Sequence, residues 1–178
     1  MLRSLLVLFS CLWFHQRANS LPIERFPIPP ASANRLFYIQ RSSNANTVIY
    51  DANFLPNKSL NPSQPIHAYW IRYADNGQKE ELNLVQRTLA YGLYTNQIKN
   101  EFNSFEGYFL AYRKRKFIVK LNAKNQAIAL FPINGKLQIL ERVFVSVDDS
   151  GFTPNVKYIE LFGKDEVTNK DVYERFKP

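Results

Sequence analysis

Residues 66–73 read IHAYWIRY, eight positions that hold His67, Trp70, Arg72 and two tyrosines with no Gly or Pro between them. Alternate side chains of an extended strand point to opposite faces, so Ile66, Ala68, Trp70 and Arg72 share one face while His67, Tyr69, Ile71 and Tyr73 share the other. Both faces are mainly apolar or aromatic. This predicts a strand covered on both sides, central rather than at an open edge, in which packing accounts for most of the letters.

The same short aromatic and β-branched runs recur on either side. RLFYIQR (35–41) and TVIYDAN (47–53) flank SSNAN (42–46), a polar loop of hairpin size. After residue 92 come GLYTNQI, FEGYFLAY, KFIVKLN, QAIALFPI, KLQILERVFVSV, NVKYIELF and DVYERF, separated by polar breaks, with Asn134-Gly135 as a hairpin turn signal. One segment departs from the pattern. In DNGQKEELNLVQRTLAYG (75–92), turn residues precede Glu80 and Glu81, Leu82, Val85 and Leu89 recur at helical spacing, and Gly92 can end the run. It predicts one amphipathic α-helix of about three to four turns. About ten short strands and one helix predict an all-β domain, an antiparallel meander folded into a β-sandwich or flattened barrel.

The chain opens MLRSLLVLFSCLWFHQRANS, with Arg3, an apolar run from Leu5 to Phe14, and Ala18 and Ser20 at the spacing a signal peptidase reads. That run of ~10 residues is half what a membrane span needs, so residues 1–20 predict a cleaved signal peptide and a secreted or periplasmic protein. A lipoprotein anchored through Cys11 is the alternative. Residues 21–34, LPIERFPIPPASAN, hold four of the ten prolines and predict an extended arm ahead of a single domain over 35–178. Cleavage after Ser20 removes Cys11, the one cysteine, which excludes disulfides, cysteine catalysis and cysteine-ligated zinc from the mature chain. It also removes Arg3 and Arg17, so 21 of the 23 Lys and Arg remain against 15 acids, a net charge of +6. That bias favours polyanionic or glycan partners, with nucleic acid the least suited to an exported chain.

NRLFYIQRSSNANTVIYDAN, HAYWIRYADNGQKEELNLVQRTLAYGL, RVFVSV, PNVKYIELFGKD and the terminal ERFKP resemble an uncharacterised family of exported, largely bacterial proteins, domain of unknown function 4833. The resemblance spans roughly Asn34 to Pro178. It implies export and brings no activity, cofactor or site residue to transfer.

His67 is the only histidine after Ser20, which excludes a two-histidine metal site and leaves any Ser-His-Asp arrangement without a GxSxG elbow. No metal or cofactor motif is present, and a hydrogen-bonded strand residue is the simplest role for His67. Glu141 and Glu160 stand out more. Strict alternation sets Glu141 among Leu137, Ile139, Val143 and Val145, and Glu160 among Val156, Tyr158 and Phe162. An unpaired carboxylate there is costly or neutral, and two facing ones would match the paired acids of glycoside hydrolysis. Pairing with Arg72, itself on an apolar face, or exposure at a bulge is the structural alternative. RKRK, Arg113, Lys114, Arg115 and Lys116, reads as a hairpin tip, solvated or in contact with a polyanion.

These readings favour a non-enzymatic binding module that uses an aromatic-lined cleft, with His67, Tyr69, Trp70, Arg72 and Tyr73 as ligand-binding candidates, or its basic surface. A glycan-directed hydrolase using Glu141 and Glu160, and an envelope scaffold that pairs through an exposed sheet edge, are the alternatives.

Overall fold

The structure is a computed structural model that describes residues 26–148, 150 and 155–178; the predicted signal peptide, Cys11 and the first residues of the arm lie outside them. The described residues form eleven strands: β1 (Arg35–Arg41), β2 (Asn44–Ala52), β3 (Ile66–Ile71), β4 (Lys79–Glu81), β5 (Leu93–Gln97), β6 (Ser104–Phe109), β7 (Tyr112–Leu121), β8 (Ala127–Ile133), β9 (Lys136–Asp148), β10 (Asn155–Lys164) and β11 (Asp171–Phe176). The all-β expectation holds. The strands join in one mixed sheet, β4-β3-β2-β1-β9-β8-β7-β6-β5, with β10 on the other side of β9 and β11 beyond it.

Strand β9 organises the curl. Its first residues pair with β8 (Ile133↔Lys136 to Leu130↔Ile139), and its later ones run parallel to β1 (Tyr38↔Arg142 to Arg41↔Val145). Handing one edge from β8 to β1 rolls the sheet into a half-barrel whose two wings, β1–β4 and β5–β8, face each other. Rings from both wings meet in the core: Phe37 stacks on Tyr50 at 4.5 Å, and Phe109 contacts Phe37, Tyr50, Phe117 and Phe131. With no cysteine among the described residues to form a disulfide, burial of aliphatic and aromatic side chains is the main cohesive term.

Two local readings change and one holds. Hairpin β1–β2 is tighter than SSNAN suggested, because β2 begins at Asn44 and turns only on Ser42 and Ser43. The Asn134-Gly135 turn forms as read, with φ of 51° and 77° at the two residues, the left-handed values a two-residue hairpin needs. The amphipathic helix does not form. Lys79–Glu81 become β4 instead, pairing with Ile71, Trp70 and Tyr69, and only a π-helical turn, Gln86–Ala90, follows. Asn83 and Gln86 cap that turn reciprocally, backbone N–H to side-chain oxygen at 2.9 Å each way, and Gln86 Oε1 also accepts from Trp70 Nε1 at 3.2 Å. These anchors stop the turn before it can build a buried face. Leu82 is in the core, whereas Leu84 and Leu89 are 76% and 69% exposed. A Cβ at Gly92 would lie 1.5 Å from the Arg87 carbonyl oxygen, so the tight exit requires glycine.

The described part of the Pro-rich arm packs on the outside of the sheet. Phe26 meets Phe144 at 5.5 Å, and the Pro27 carbonyl accepts from Gln40 Nε2 at 3.0 Å.

Candidate functional site

The opening octapeptide does not build one site. Alternation in β3 is as read: Trp70 enters the inner core, while Tyr69 and Ile71 join Ile49 in a small outer cluster against Tyr38 and Tyr73. On that outer face Asp51 accepts from Arg35 Nε at 2.6 Å and from the Tyr69 hydroxyl at 2.8 Å; burial first, and that hydrogen bond second, push the Tyr69 phenol upward. At the margin of β3, His67 Nε2 meets Glu81 Oε1 at 2.7 Å, and Arg87 donates to the other Glu81 oxygen at 3.0 Å. They border a cleft of about 430 Å³ shared with Ser63 and Thr95. The exposed carboxylate there is already shared between two basic partners.

Arg72 lies past the end of β3, so the period-two rule no longer carries it inward. It pairs with Asp75 at 3.0 Å and approaches Glu80 at 3.6 Å, not Glu141 or Glu160. Tyr73 keeps its hydroxyl buried with no hydrogen-bond partner.

The two glutamates part company. In β9 both Leu140 and Val143 belong to the core, an odd spacing that strict alternation forbids. A bulge explains it: Phe162 pairs with Arg142 and Gly163 with Leu140, which leaves Glu141 as the extra residue, turned to solvent. A Cβ at Gly163 would stand 2.1 Å from the Ile139 carbonyl oxygen, so the strand opposite the bulge also needs glycine. Glu160 is 3% exposed on the outer face of β10. Its Oε1 accepts from the Tyr173 hydroxyl at 2.7 Å and from Arg175 Nε and a terminal guanidinium nitrogen at 3.0 and 2.6 Å. Arg175 is its direct cross-strand neighbour in β11. One acid faces water and the other is occupied by its neighbours, so they make no acid–base pair around a shared cleft.

RKRK is not a hairpin tip. The turn falls at Leu110 and Ala111, and all four residues lie inside β7. Arg115 forms a bidentate pair with Glu174 (3.0 and 2.6 Å) and stacks 3.9 Å over Phe176, while Lys116 pairs with Glu106 at 2.9 Å. Arg115 holds the Glu174 carboxyl below its usual range, and Glu174 raises the guanidinium in return. Arg113 lies 5.9 Å over Tyr108, and Lys114 is exposed. Two of the four charges are therefore neutralised by protein carboxylates.

A different site lies between the wings. A cavity of about 400 Å³ is floored by the buried Phe109, Phe131 and Leu161 and walled by Val143, Val145, Val147 and Ile159, with exposed Ala90, Ala111 and Pro178 at its rim. Among the described residues of this lining, Arg41 supplies the one charged side chain. Its guanidinium lies 5.5 Å from the ring centroids of both Trp70 and Tyr91, which meet edge-to-face at 5.0 Å, and its Nε is buried with no hydrogen-bond partner. Tyr91 is fixed in turn, since its carbonyl accepts the buried Tyr50 hydroxyl at 2.9 Å; burial pushes the Tyr91 phenol up while Arg41 opposes the shift. Sequence reading passed over Arg41, yet the signal was present: in RLFYIQR it follows Phe37 and Ile39 at period two, a cation at the end of an apolar face.

A family model covers residues 37–175 and is described as a domain of unknown function (DUF4833). The chain belongs to this family. Neither the curated proteins nor the solved structures contain a match to it. Family membership thus attaches no chemistry to the cavity, and among the described residues no group of three His, Cys, Asp or Glu converges as a metal site.

Proposed function

We propose that this chain is an exported, non-enzymatic binding module whose ligand occupies the cavity between the two wings of the half-barrel. The carrying observation is the cavity itself, about 400 Å³ with walls almost entirely aliphatic and aromatic, a size and lining typical of small-molecule sites. Most of its lining comes from strands of both wings and from β9 and β10, so the shape is set chiefly by the fold. The separate environments of Glu141 and Glu160 argue against the hydrolase reading. The partial neutralisation of Arg113–Lys116 argues against a purely electrostatic one. Export rests on the amino-terminal segment and is tested by sequencing the amino terminus of the protein recovered after expression in a bacterial host, which should begin near Leu21.

Binding is tested with N-phenyl-1-naphthylamine, a neutral probe that fluoresces in apolar surroundings. One saturable site is expected, lost when bulk is added to the wall in Val145→Trp or in Val156→Trp, a β10 residue that also lines the cavity, and kept in His67→Ala. Absence of saturable binding, or binding indifferent to both wall variants, would overturn the reading.

A further inference from the structure

We infer that the cavity takes a single-chain anionic amphiphile, its hydrocarbon tail along the valine wall and its carboxylate or phosphate head on Arg41. This rests on the cavity being a binding site and adds what it selects. Arg41 is a cation set in an apolar lining, and among the described residues no carboxylate lies within ion-pair reach of it. A charge drawn partly out of water into such surroundings favours a counter-charge, and the fold supplies two ring faces, each worth about 0.5–2 kcal/mol, and the neutral Tyr91 hydroxyl. Two other arginines of the sheet that lie against aromatic rings do find an acid: Arg115 has Glu174 and Arg175 has Glu160. The open guanidinium accepts an anion through charge-assisted hydrogen bonds without first giving up a protein carboxylate.

Trp70 and Tyr91 hold the head-group site in place. The Trp70 indole is tied to Gln86, the Tyr91 backbone to the Tyr50 hydroxyl, and the Tyr91 ring packs edge-to-face on Trp70, so the two rings that flank the guanidinium support each other. The rest of the lining dictates the tail. Val143, Val145 and Val147 project at period two from β9, opposite Ile159 and Leu161 of β10, and form an aliphatic trough that offers a second polar group no partner. A short polar anion would leave this trough empty, and a neutral lipid would leave Arg41 unpaired.

Titration calorimetry with dodecanoate, dodecyl phosphate, dodecanol and dodecyltrimethylammonium decides the matter. Wild type should bind the two anions at least about tenfold more tightly than dodecanol, and the ammonium most weakly. The stronger of the two anions identifies the head group as fatty acid or phosphate ester. In Arg41→Met and Arg41→Gln the anions should fall to the level of dodecanol while dodecanol itself is unchanged; Arg41→Lys should restore part of the preference. Equal binding of dodecanoate and dodecanol to wild type overturns the inference whatever the variants do, which covers the case in which they fail to fold. If none of the four amphiphiles binds while the naphthylamine probe still does, the head-group inference falls and the cavity stands; if the probe fails as well, both fall.

Discussion

Arg41 and Arg175 are both arginines laid against aromatic rings of one curled sheet, Arg41 by Trp70 and Tyr91 and Arg175 at 4.3 Å over Tyr158. Their surroundings differ in one respect. Arg175 reaches a buried carboxylate that also accepts from Tyr173, so each charge and hydroxyl in that cluster has its complement inside the protein. Arg41 faces an apolar cavity with a sealed, unpartnered Nε and, among the described residues, no side-chain carboxylate in an ion pair with it. A conspicuous charge whose partners are complete marks structure, whereas one left incomplete beside a cavity marks a place for something from outside. The buried glutamate, the more eye-catching group in sequence, belongs to the first kind.

This contrast can be broken at several points. The largest effect should come from the shared floor: Phe109→Ala removes the ring that joins both wings, is expected to cost about 3–5 kcal/mol in urea unfolding, and opens the floor of the cavity so that ligand binding weakens. Next comes the complete cluster. Arg175→Gln strands the Glu160 carboxylate with only Tyr173 and should cost about 3 kcal/mol, while Glu160→Gln, which keeps an acceptor, should cost less and leave ligand binding intact. A variant Glu160→Gln that unfolds no more easily but loses ligand binding would reverse the contrast.

Arg41→Met should change stability by no more than about 1 kcal/mol, because the ring contacts it gives up are offset by no longer desolvating an unpaired cation, and no ion pair is lost. A loss as large as that of Arg175→Gln would mean that Arg41 is structural. The smallest effect concerns pH. Glu174 has its pKa lowered on folding, chiefly by the hydrogen bonds from Arg115, so its contribution is in place above the unfolded carboxyl pKa and disappears as pH falls through the depressed folded value. Glu174→Gln should therefore flatten the acid side of the stability profile, measured by urea midpoints at successive pH values, and leave its slope near neutrality unchanged.

How much of this was legible depended on whether the deciding interaction was local. Strands such as 127–133 and 155–164 could be read because alternation and turn residues are properties of a few consecutive positions, and so could the Asn134-Gly135 turn. The segment 75–92 misled because Leu82, Val85 and Leu89 fit a helix locally, while the pairing of Lys79–Glu81 with β3 and the hold of Trp70 on Gln86 are tertiary. Glu141 was misplaced by a single bulge, which shifts every later residue of β9 to the opposite face. The partner of Glu160 depended on the register between β10 and β11, which a single sequence does not display. Arg72 and Arg41 posed the same puzzle, a cation after apolar residues at period two. Arg72 falls beyond its strand and finds Asp75, while Arg41 is the last residue of β1, next to a parallel partner in β9, and stays directed at the interior.

A crystal structure of the protein with dodecanoate would show the head group's position outright. The carboxylate should lie within hydrogen-bond distance of Arg41 and the hydrocarbon chain along Val143 and Val145, with Trp70 and Tyr91 unmoved. Dodecanoate bound instead at the His67–Glu81 cleft or on the outer surface, or Arg41 found in an ion pair with a carboxylate of its own chain, would contradict this assignment.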